Sequence, residues 1–466
     1  MNNIPGTAFA GKTRLLKKLR FIRFKELANT MRKIGVGLVG FGTIGTGVAR
    51  ILLNKRDEIF RRTGQQIELL KICDKDTTTD RGIDLPEGIL TDNLDEIVSN
   101  PEISIVIELI GGLEPARTFV LKFLRAGKNV VTANKALLAN HGPELFDTAR
   151  QCGKTIAFEA SVCGGIPILS SIATSLQANR IESINAIVNG TSNFILSRME
   201  SDGADYAEAV RQAQKLGYAE ANPSMDVDGT DAVQKLTILA QLAFGAVASW
   251  KNIPRTGIDS VSAIDIEFAK KLGKRIRLLA TASRGENGLA LKVSPTLIPE
   301  SAPLAKVRDA FNAVEIVGDF VGPVFYQGLG AGERPTASAV CSDVIDTAVG
   351  RTELTFGAIR MWAADRPALP LLPAAEIVGG AYLRMTVRDQ PGVVAEIAGI
   401  LGRHNISISS MLQAETTERT DSACLIILTH LAPEGALKAA TEELDRLKFN
   451  LAKTVRLAVD IPDDTI

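Results

Sequence analysis

The first uninterrupted apolar run of the chain, residues 34–39 (IGVGLV), reads as a short strand buried on both faces. It ends in Gly40-Phe41-Gly42-Thr43-Ile44-Gly45, after which Ile44, Val48, Ile51 and Leu52 recur at the spacing of one helix face. The alternation then repeats. Runs at 67–73, 103–110, 129–132 and 155–158 read as further strands, and the stretches between them, 115–126 included, carry helical periodicity. Alternating strands and helices predict a parallel, doubly wound sheet. Past residue 160 the pattern changes. Residues 162–179 read as one helix, 183–188 as a strand, and Gly229-Thr230-Asp231 as a helix start. A helix predicted over 335–351 returns to the first sheet. Residues 364–375 (ADRPALPLLPAA) contain three prolines and read as a semi-rigid linker. Beyond it come a strand at 383–387, a helix at 393–403, strands at 406–413 and 423–429, a helix at 433–447 and a strand at 454–459. That order, βαββαβ, is ferredoxin-like.

Composition narrows the function classes. With 466 residues, 53 basic and 53 acidic, the formal net charge is zero and the length suits about three domains. No basic stripe follows residue 33, which disfavours nucleic acid as a partner. Cys73, Cys152, Cys163, Cys341 and Cys424 are odd in number, dispersed and never in a CxxC pair. They fit neither a disulfide framework nor a zinc site, and they suit a reduced cytoplasm. The longest uncharged run, between Glu159 and Arg180, holds Gly, Pro, Ser, Thr, Gln and Asn, so no membrane span is expected. The segment 1–30 carries seven Lys and Arg before its first acid, Glu26. It reads either as a targeting-type leader or as chain upstream of a natural start at Met31, and it is set apart from the fold.

The glycine-rich turn sits where its chemistry needs it, after a strand and at the opening of a helix. Gly40 permits the tight turn, Gly42 lets backbone approach a pyrophosphate, and Gly45 lets helix and strand pack closely. With Thr43 and Ile44 they present the helix N-terminus to the phosphates of a dinucleotide. Asp74, ending the second strand, is the expected acceptor from the adenosine ribose hydroxyls, reached over a crossover lengthened by 55–66.

Between Leu216 and Leu236 the sequence LGYAEANPSMDVDGTDAVQKL gathers Glu220, Asp226, Asp228 and Asp231 ahead of an amphipathic helix. Asp231 and Lys235 are four apart and share a helix face. Two readings follow from the pattern. One is a surface ion pair. The other is a pocket for an amino-acid-like substrate, in which carboxylates hold an ammonium group and a lysine of lowered pKa delivers a proton to a carbonyl.

These segments resemble homoserine dehydrogenase. The motifs are GLVGFGTIGTGV at 37–48, VVTANKALLA at 130–139, EASVCGGIPIL at 159–169, NGTSNFILSRM at 189–199, AQKLGYAEANPSMDVDGTDAVQKLTILA at 213–240 and GLGAGERPTASAVCSDV at 328–344. The resemblance implies reversible NAD(P)H-dependent reduction of L-aspartate 4-semialdehyde to L-homoserine. It makes Lys235 the catalytic proton donor and places Lys135 between nicotinamide and substrate. Glu220, Asp226 and Asp231 become the substrate-binding acids, and Gly332 lies near the cofactor. Glu159, Val162, Gly164 and Ile166 match a loop holding a monovalent cation, Na+, through carbonyls and one carboxylate. The family also implies a homodimer or homotetramer in the cytoplasm. Two positions depart from the family pattern. Asn222 stands where Asp often precedes Pro223. Cys73 stands where NADP-preferring members often have Arg, which leans the cofactor toward NAD, although Lys75 and Arg81 are placed to supply a 2′-phosphate clamp.

From Tyr382 the sequence is similar to an ACT domain, a module for small effectors. Its Asp389-Gln390-Pro391-Gly392 turn offers backbone amides to a carboxylate and Asp389 to an ammonium group. The resemblance implies inhibition by L-threonine at Asp389, Pro391 and Gly392. The expected organisation is therefore an extension (1–30), a Rossmann-type NAD(P)-binding domain (31–158 with 329–352), an α+β catalytic and dimerisation domain with an open sheet (159–328), a linker (353–381) and an ACT domain (382–460). Two other function classes compete. A thiol-dependent semialdehyde dehydrogenase would need Cys163 with a nearby base, and the sequence has no histidine between His141 and His404. A silent NAD(P)-binding amino-acid sensor would have no use for Glu220, Asp231 and Lys235 together.

Overall fold

The computed structural model describes residues 33–363, 368–415 and 421–460; the 1–30 extension lies outside them, as does part of the proline-rich stretch. Six strands build the first sheet: β1 (Lys33–Val39), β2 (Gln66–Cys73), β3 (Leu90–Thr91), β4 (Ile103–Glu108), β5 (Asn129–Thr132) and β6 (Ile156–Ala157). All pairings are parallel, in the order β3-β2-β1-β4-β5-β6. The order in which strands are added reverses between β1 and β4, and a doubly wound sheet binds its ligand at that switch point. Helix α1 (Thr43–Asn54) covers one face, with α2 (Ala116–Arg125) and α3 (Lys135–Gln151) following β4 and β5. Val36, Leu38, Ile72, Ile105 and Ile107 are fully buried, as continuous apolar runs in a two-sided sheet must be.

The second sheet is larger than expected. Strands β7 (Ile181–Ile187), β8 (Lys274–Gly285), β9 (Gly288–Pro299), β10 (Phe311–Gly318) and β11 (Gly322–Leu329) pair antiparallel. They are overlaid by α4 (Gly190–Asp202), α5 (Thr230–Phe244) and α6 (Ala263–Lys271). Helix α7 (Glu333–Ala348) then returns to the first half. It packs Ala337, Val340 and Val344 into that core, and Glu333 pairs with Arg50 of α1. Helix α8 (Arg351–Ile359) follows. The C-terminal unit contains β12 (Val378–Arg388), α9 (Val393–Arg403), β13 (Ile408–Glu415), β14 (Ser422–Thr429), β15 (Ala432–Pro433), α10 (Glu434–Leu444) and β16 (Val455–Val459).

Three expectations need correction. The stretch 162–179 is not one helix. It is a turn through Cys163 (φ 57°) and Gly164 (φ 42°), then short helical pieces at Ile168–Ser170 and Ser171–Ser175, because Pro167 cannot continue a helix begun before it. The 353–381 linker is not free chain: most of α8 lies inside it, and Phe356 stacks on Phe146 at 5.3 Å. The C-terminal unit is also not tethered by that linker alone. Strand β16 pairs in parallel with β9, with Ala458 opposite Thr296 and Val459 opposite Leu297. One ten-stranded sheet therefore runs through both parts. Lys292 of β9 and Arg456 of β16 both bind Glu434. The fully buried Asp265 of α6 accepts from the Tyr382 hydroxyl at 2.8 Å and from Arg384 at 2.7 Å. No described helix is long and apolar enough to cross a membrane.

Candidate active site

The dinucleotide cradle follows from steric need. Gly40 has φ 97°, and a Cβ there would lie 2.6 Å from the Leu109 carbonyl carbon. A Cβ at Gly45 would lie 2.1 Å from the Gly40 oxygen, whereas Gly42 faces open space, so its backbone is free to meet a phosphate. Thr43 and Ile44 begin α1. Asp74 is engaged differently from expectation. One carboxylate oxygen accepts from the Phe41 amide and the other from the Asp76 amide, so the side chain braces the glycine turn against β2. Arg81 lies over the Phe41 ring, 4.8 Å from its centroid, and 3.3 Å from Asp76. Gly332 (φ 109°) precedes α7 and is exposed.

Glu108, at the end of β4, went unnoticed in the sequence. It is fully buried, accepts from the amides of Ile110 and Gly111 at 2.9 and 3.2 Å, and accepts from the Thr132 hydroxyl at 2.6 Å. Asn134 donates to the Gly112 carbonyl at 2.7 Å, so the loop after β4 is fastened from two strands. Burial pushes the Glu108 carboxyl up, while these donors pull it down; the net direction is up.

Lys135 opens α3, and from there its Nζ reaches Asp231 Oδ1 at 3.1 Å. Lys235 Nζ lies 2.9 Å from Asp231 Oδ2 and donates to the Val188 carbonyl at 2.7 Å. Asn189 bridges the acids, donating at 2.8 Å to Asp231 and 2.7 Å to Asp226. Asp231 is only 6 % exposed. Burial alone would raise its carboxyl, but Lys235 and Lys135 hold it down at about 2. Burial alone would lower the Lys235 ammonium, but Asp231 overrides it and raises the pKa. The lowered lysine pKa expected from desolvation is thus reversed, because the buried charge has a buried counter-ion. Asp226 is raised, chiefly by burial. In the sequence Asn189 stood only as the first residue of the 189–199 motif; its side chain caps α4 by accepting from the Ser192 amide at 2.7 Å.

Glu220 is not brought into this cluster. It is exposed, and among the described residues its one hydrogen bond is at the backbone carbonyl, which accepts from Gln214 at 3.2 Å. Cys163 is buried beside the site and its thiol is pushed up to about 11, chiefly by burial. A thiol so held is no nucleophile. In the 159–166 loop, Glu159 accepts from the amides of Leu169 and Ser170 at 2.9 and 2.7 Å. The Ile166 carbonyl accepts from Ile168. Among the described residues no donor is paired with the buried carbonyls of Val162 and Gly164. The carbonyls of Val162 and Gly164 and the neighbouring Glu159 carboxylate are oxygen donors of the kind a hard monovalent cation takes, although both Glu159 oxygens are already engaged by amides. No group of three or more His, Cys, Asp or Glu placed to hold a metal occurs among the described residues. In the C-terminal unit, Gly392 (φ 95°) precedes α9, with Asp389 and Pro391 exposed beside it.

The chain matches known proteins over most of its length. Residues 167–345 match the homoserine dehydrogenase family, 40–159 its NAD binding domain and 381–449 the ACT domain. A homoserine dehydrogenase of Neisseria gonorrhoeae is 40% identical over 420 residues, covering 90% of this chain and 96% of its own. The crystal structure of a homoserine dehydrogenase from Thiobacillus denitrificans superposes with a TM-score of 0.86 at 42% identity, over 92% of this chain and 99% of that one. A hyperthermophilic archaeal homoserine dehydrogenase in complex with NADPH gives a TM-score of 0.57 at 28% identity, over 67% of this chain and 97% of that one.

Proposed function

This chain belongs to the homoserine dehydrogenase family of NAD(P)-dependent oxidoreductases, and from that premise we propose that Lys235 carries the proton and that Lys135 and Asp231 hold it in place. The reaction is the reversible reduction of L-aspartate 4-semialdehyde to L-homoserine. The observation that carries the assignment is the Lys135–Asp231–Lys235 chain, which joins the start of α3 in the nucleotide half to α5 in the other half.

A nicotinamide dinucleotide held by the Gly40–Gly45 turn would supply the hydride chemistry of this reversible reduction. The protein's part is the proton. Lys235 Nζ, kept charged by Asp231, donates to the aldehyde oxygen as the alcohol forms, and accepts that proton when homoserine is oxidised. Asp231 is saturated by two lysines and Asn189, so we assign it a positioning role beside its expected place in the substrate pocket. Asp226, half-buried and bridged to Asp231, is better placed for the substrate ammonium. Glu220 completes the pocket if its exposed loop folds inward on substrate. Gly40, Gly42, Thr43, Ile44, Gly45 and Gly332 cradle the dinucleotide. Arg81 is the residue placed to meet a 2′-phosphate, which offsets the lean toward NAD drawn from Cys73.

Glu159, Val162, Gly164 and Ile166 would hold a monovalent cation and stiffen the loop behind Cys163. The Asp389–Gly392 turn would take an amino-acid effector, L-threonine by the family resemblance. Phe311, Phe320, Val321 and Leu329 are exposed at the two ends of the β10–β11 hairpin, at a sheet edge, which supports a homodimer or homotetramer.

The test is oxidation of homoserine with NAD+ and NADP+, followed by absorbance of the reduced cofactor, in wild type and Lys235→Ala. General acid catalysis is worth roughly 10²–10⁴-fold. We expect kcat to fall by that factor while cofactor affinity holds. A variant retaining more than a tenth of wild-type kcat would sink the assignment.

A further inference from the structure

Lys235 is held from two sides, and only one of its partners is charged. Besides meeting Asp231, its Nζ donates to the Val188 carbonyl at 2.7 Å. Val188 stands one residue past the end of β7. The antiparallel ladder between β7 and β10 closes at the pair Ile187–Ala313, one residue short of it. Asn312 of β10 continues the ladder with its side chain. Its Nδ2 donates to the same Val188 carbonyl at 3.0 Å.

This amide has little room to move. Asn312 is 1 % exposed. A Cβ at Gly330 would lie 2.0 Å from its Nδ2, and one at Gly190 would lie 3.5 Å from its Oδ1, so the amide is wedged against two glycine backbones. Oδ1 accepts no hydrogen bond among the described residues. A buried acceptor left without a donor costs roughly 1–3 kcal/mol. An apolar side chain in this place would avoid that cost, so what favours an amide here is its donor end. That end faces the carbonyl on which Lys235 rests. The peptide unit it holds runs from Val188 into Asn189, whose side chain donates to Asp231 and Asp226. Fixing the Val188 carbonyl therefore fixes the peptide between the lysine and the residue that bridges the two carboxylates.

We infer that Asn312 is a positioning residue for the proton transfer, acting on Lys235 through the Val188 carbonyl they share. The inference rests on the assignment of the proton to Lys235. Without the Asn312 donor, the peptide after β7 is free to turn, and the lysine and Asn189 shift with it. Misplacing a reacting group by about 1 Å costs up to about 10²-fold in rate.

The experiment is a double-mutant cycle on the full chain: Asn312→Ala, Lys235→Ala and the two together. Asn312→Asp is added because it keeps the side-chain shape and loses the donor. All are assayed in the reduction direction at neutral pH, where Lys235 is charged. In both Asn312 variants kcat should fall by roughly ten- to 100-fold. The KM for the aldehyde, the affinity for reduced cofactor and the melting temperature should stay close to wild type. The solvent deuterium isotope effect on kcat should exceed the wild-type one, because proton donation from a misplaced lysine slows relative to hydride transfer. In the Lys235→Ala background, Asn312→Ala should lower kcat no further, as expected of two residues acting in one chain. Wild-type kcat in a folded Asn312 variant, with Lys235→Ala inactive, would overturn this inference alone. So would the same fractional loss from Asn312→Ala in both backgrounds, or failure of both Asn312 variants to fold; either marks the side chain as structural. Activity retained in Lys235→Ala would instead remove the proton assignment, and the inference with it.

Discussion

At the scale of single residues, the charge state of Lys235 decides the chemistry. Its pKa is raised because Asp231 outweighs burial, so the proton is present throughout the neutral range for reduction and must leave for oxidation. Homoserine oxidation should therefore climb with pH on an alkaline limb above the ordinary lysine value, ~10.4. Asp231→Asn removes the carboxylate and leaves burial in charge, which lowers the lysine pKa. The oxidation limb should move to lower pH, and the reduction rate should begin to fall at lower pH than in wild type. Identical pH profiles would show that Asp231 does not set the lysine. Arg81 offers a second test. It is seated on Phe41 beside Asp76, and a charge-assisted contact is worth roughly 1.5–3 kcal/mol. Arg81→Ala should raise the KM for NADP+ by about tenfold or more while the KM for NAD+ changes little. Equal effects on both would mean that Arg81 only braces the turn.

At the scale of elements, the joint between β9 and β16 is the least expected feature. It is two residue pairs long, too short to stand alone. The polar lock beside it, Asp265 with Tyr382 and Arg384, must share the load. Removing one member of a buried charged network costs ~3–5 kcal/mol, because the partners stay buried without their bonds. Asp265→Ala also loses the capping box of α6, in which Asp265 accepts from the Ser262 amide at 2.9 Å. We expect its unfolding midpoint to drop by several degrees, with kcat for homoserine little changed at low temperature. An unaltered midpoint would mean the lock is dispensable.

At the scale of the whole molecule, the continuous sheet changes how regulation is tested. Cutting the chain near Ala374 would strip β16 from β9 and leave Asp265 without Arg384, so loss of activity there would not isolate the effector site. Point changes in the full chain are cleaner. Asp389→Ala removes the proposed ammonium partner from an exposed position and should leave basal turnover intact while abolishing inhibition by L-threonine. Coupling between sites is typically ~1–3 kcal/mol, a five- to 150-fold change in affinity. Persistent threonine inhibition in this variant would move the effector to the substrate pocket, which a small hydroxy amino acid also fits.

The sequence alone determined whatever is decided by neighbours along the chain. The apolar runs of β1, β4 and β5, the glycine turn before α1, the helix start at Thr230 and the i, i+4 pairing of Asp231 with Lys235 all depend on local spacing and backbone sterics. Homology carried the family. Tertiary structure decided what depends on partners far apart. It set the direction of the Lys235 pKa, because Asp231 is buried with it and Lys135 arrives from another element. It committed Asp74 to the Phe41 amide, left Glu220 exposed, and brought the Asn189 amide to two acids at once. It broke the segment 162–179 at Pro167 and turned a supposed linker into α8. It also joined two sheets through β9 and β16, since an open strand edge satisfies its hydrogen bonds with whichever strand the folded chain brings beside it.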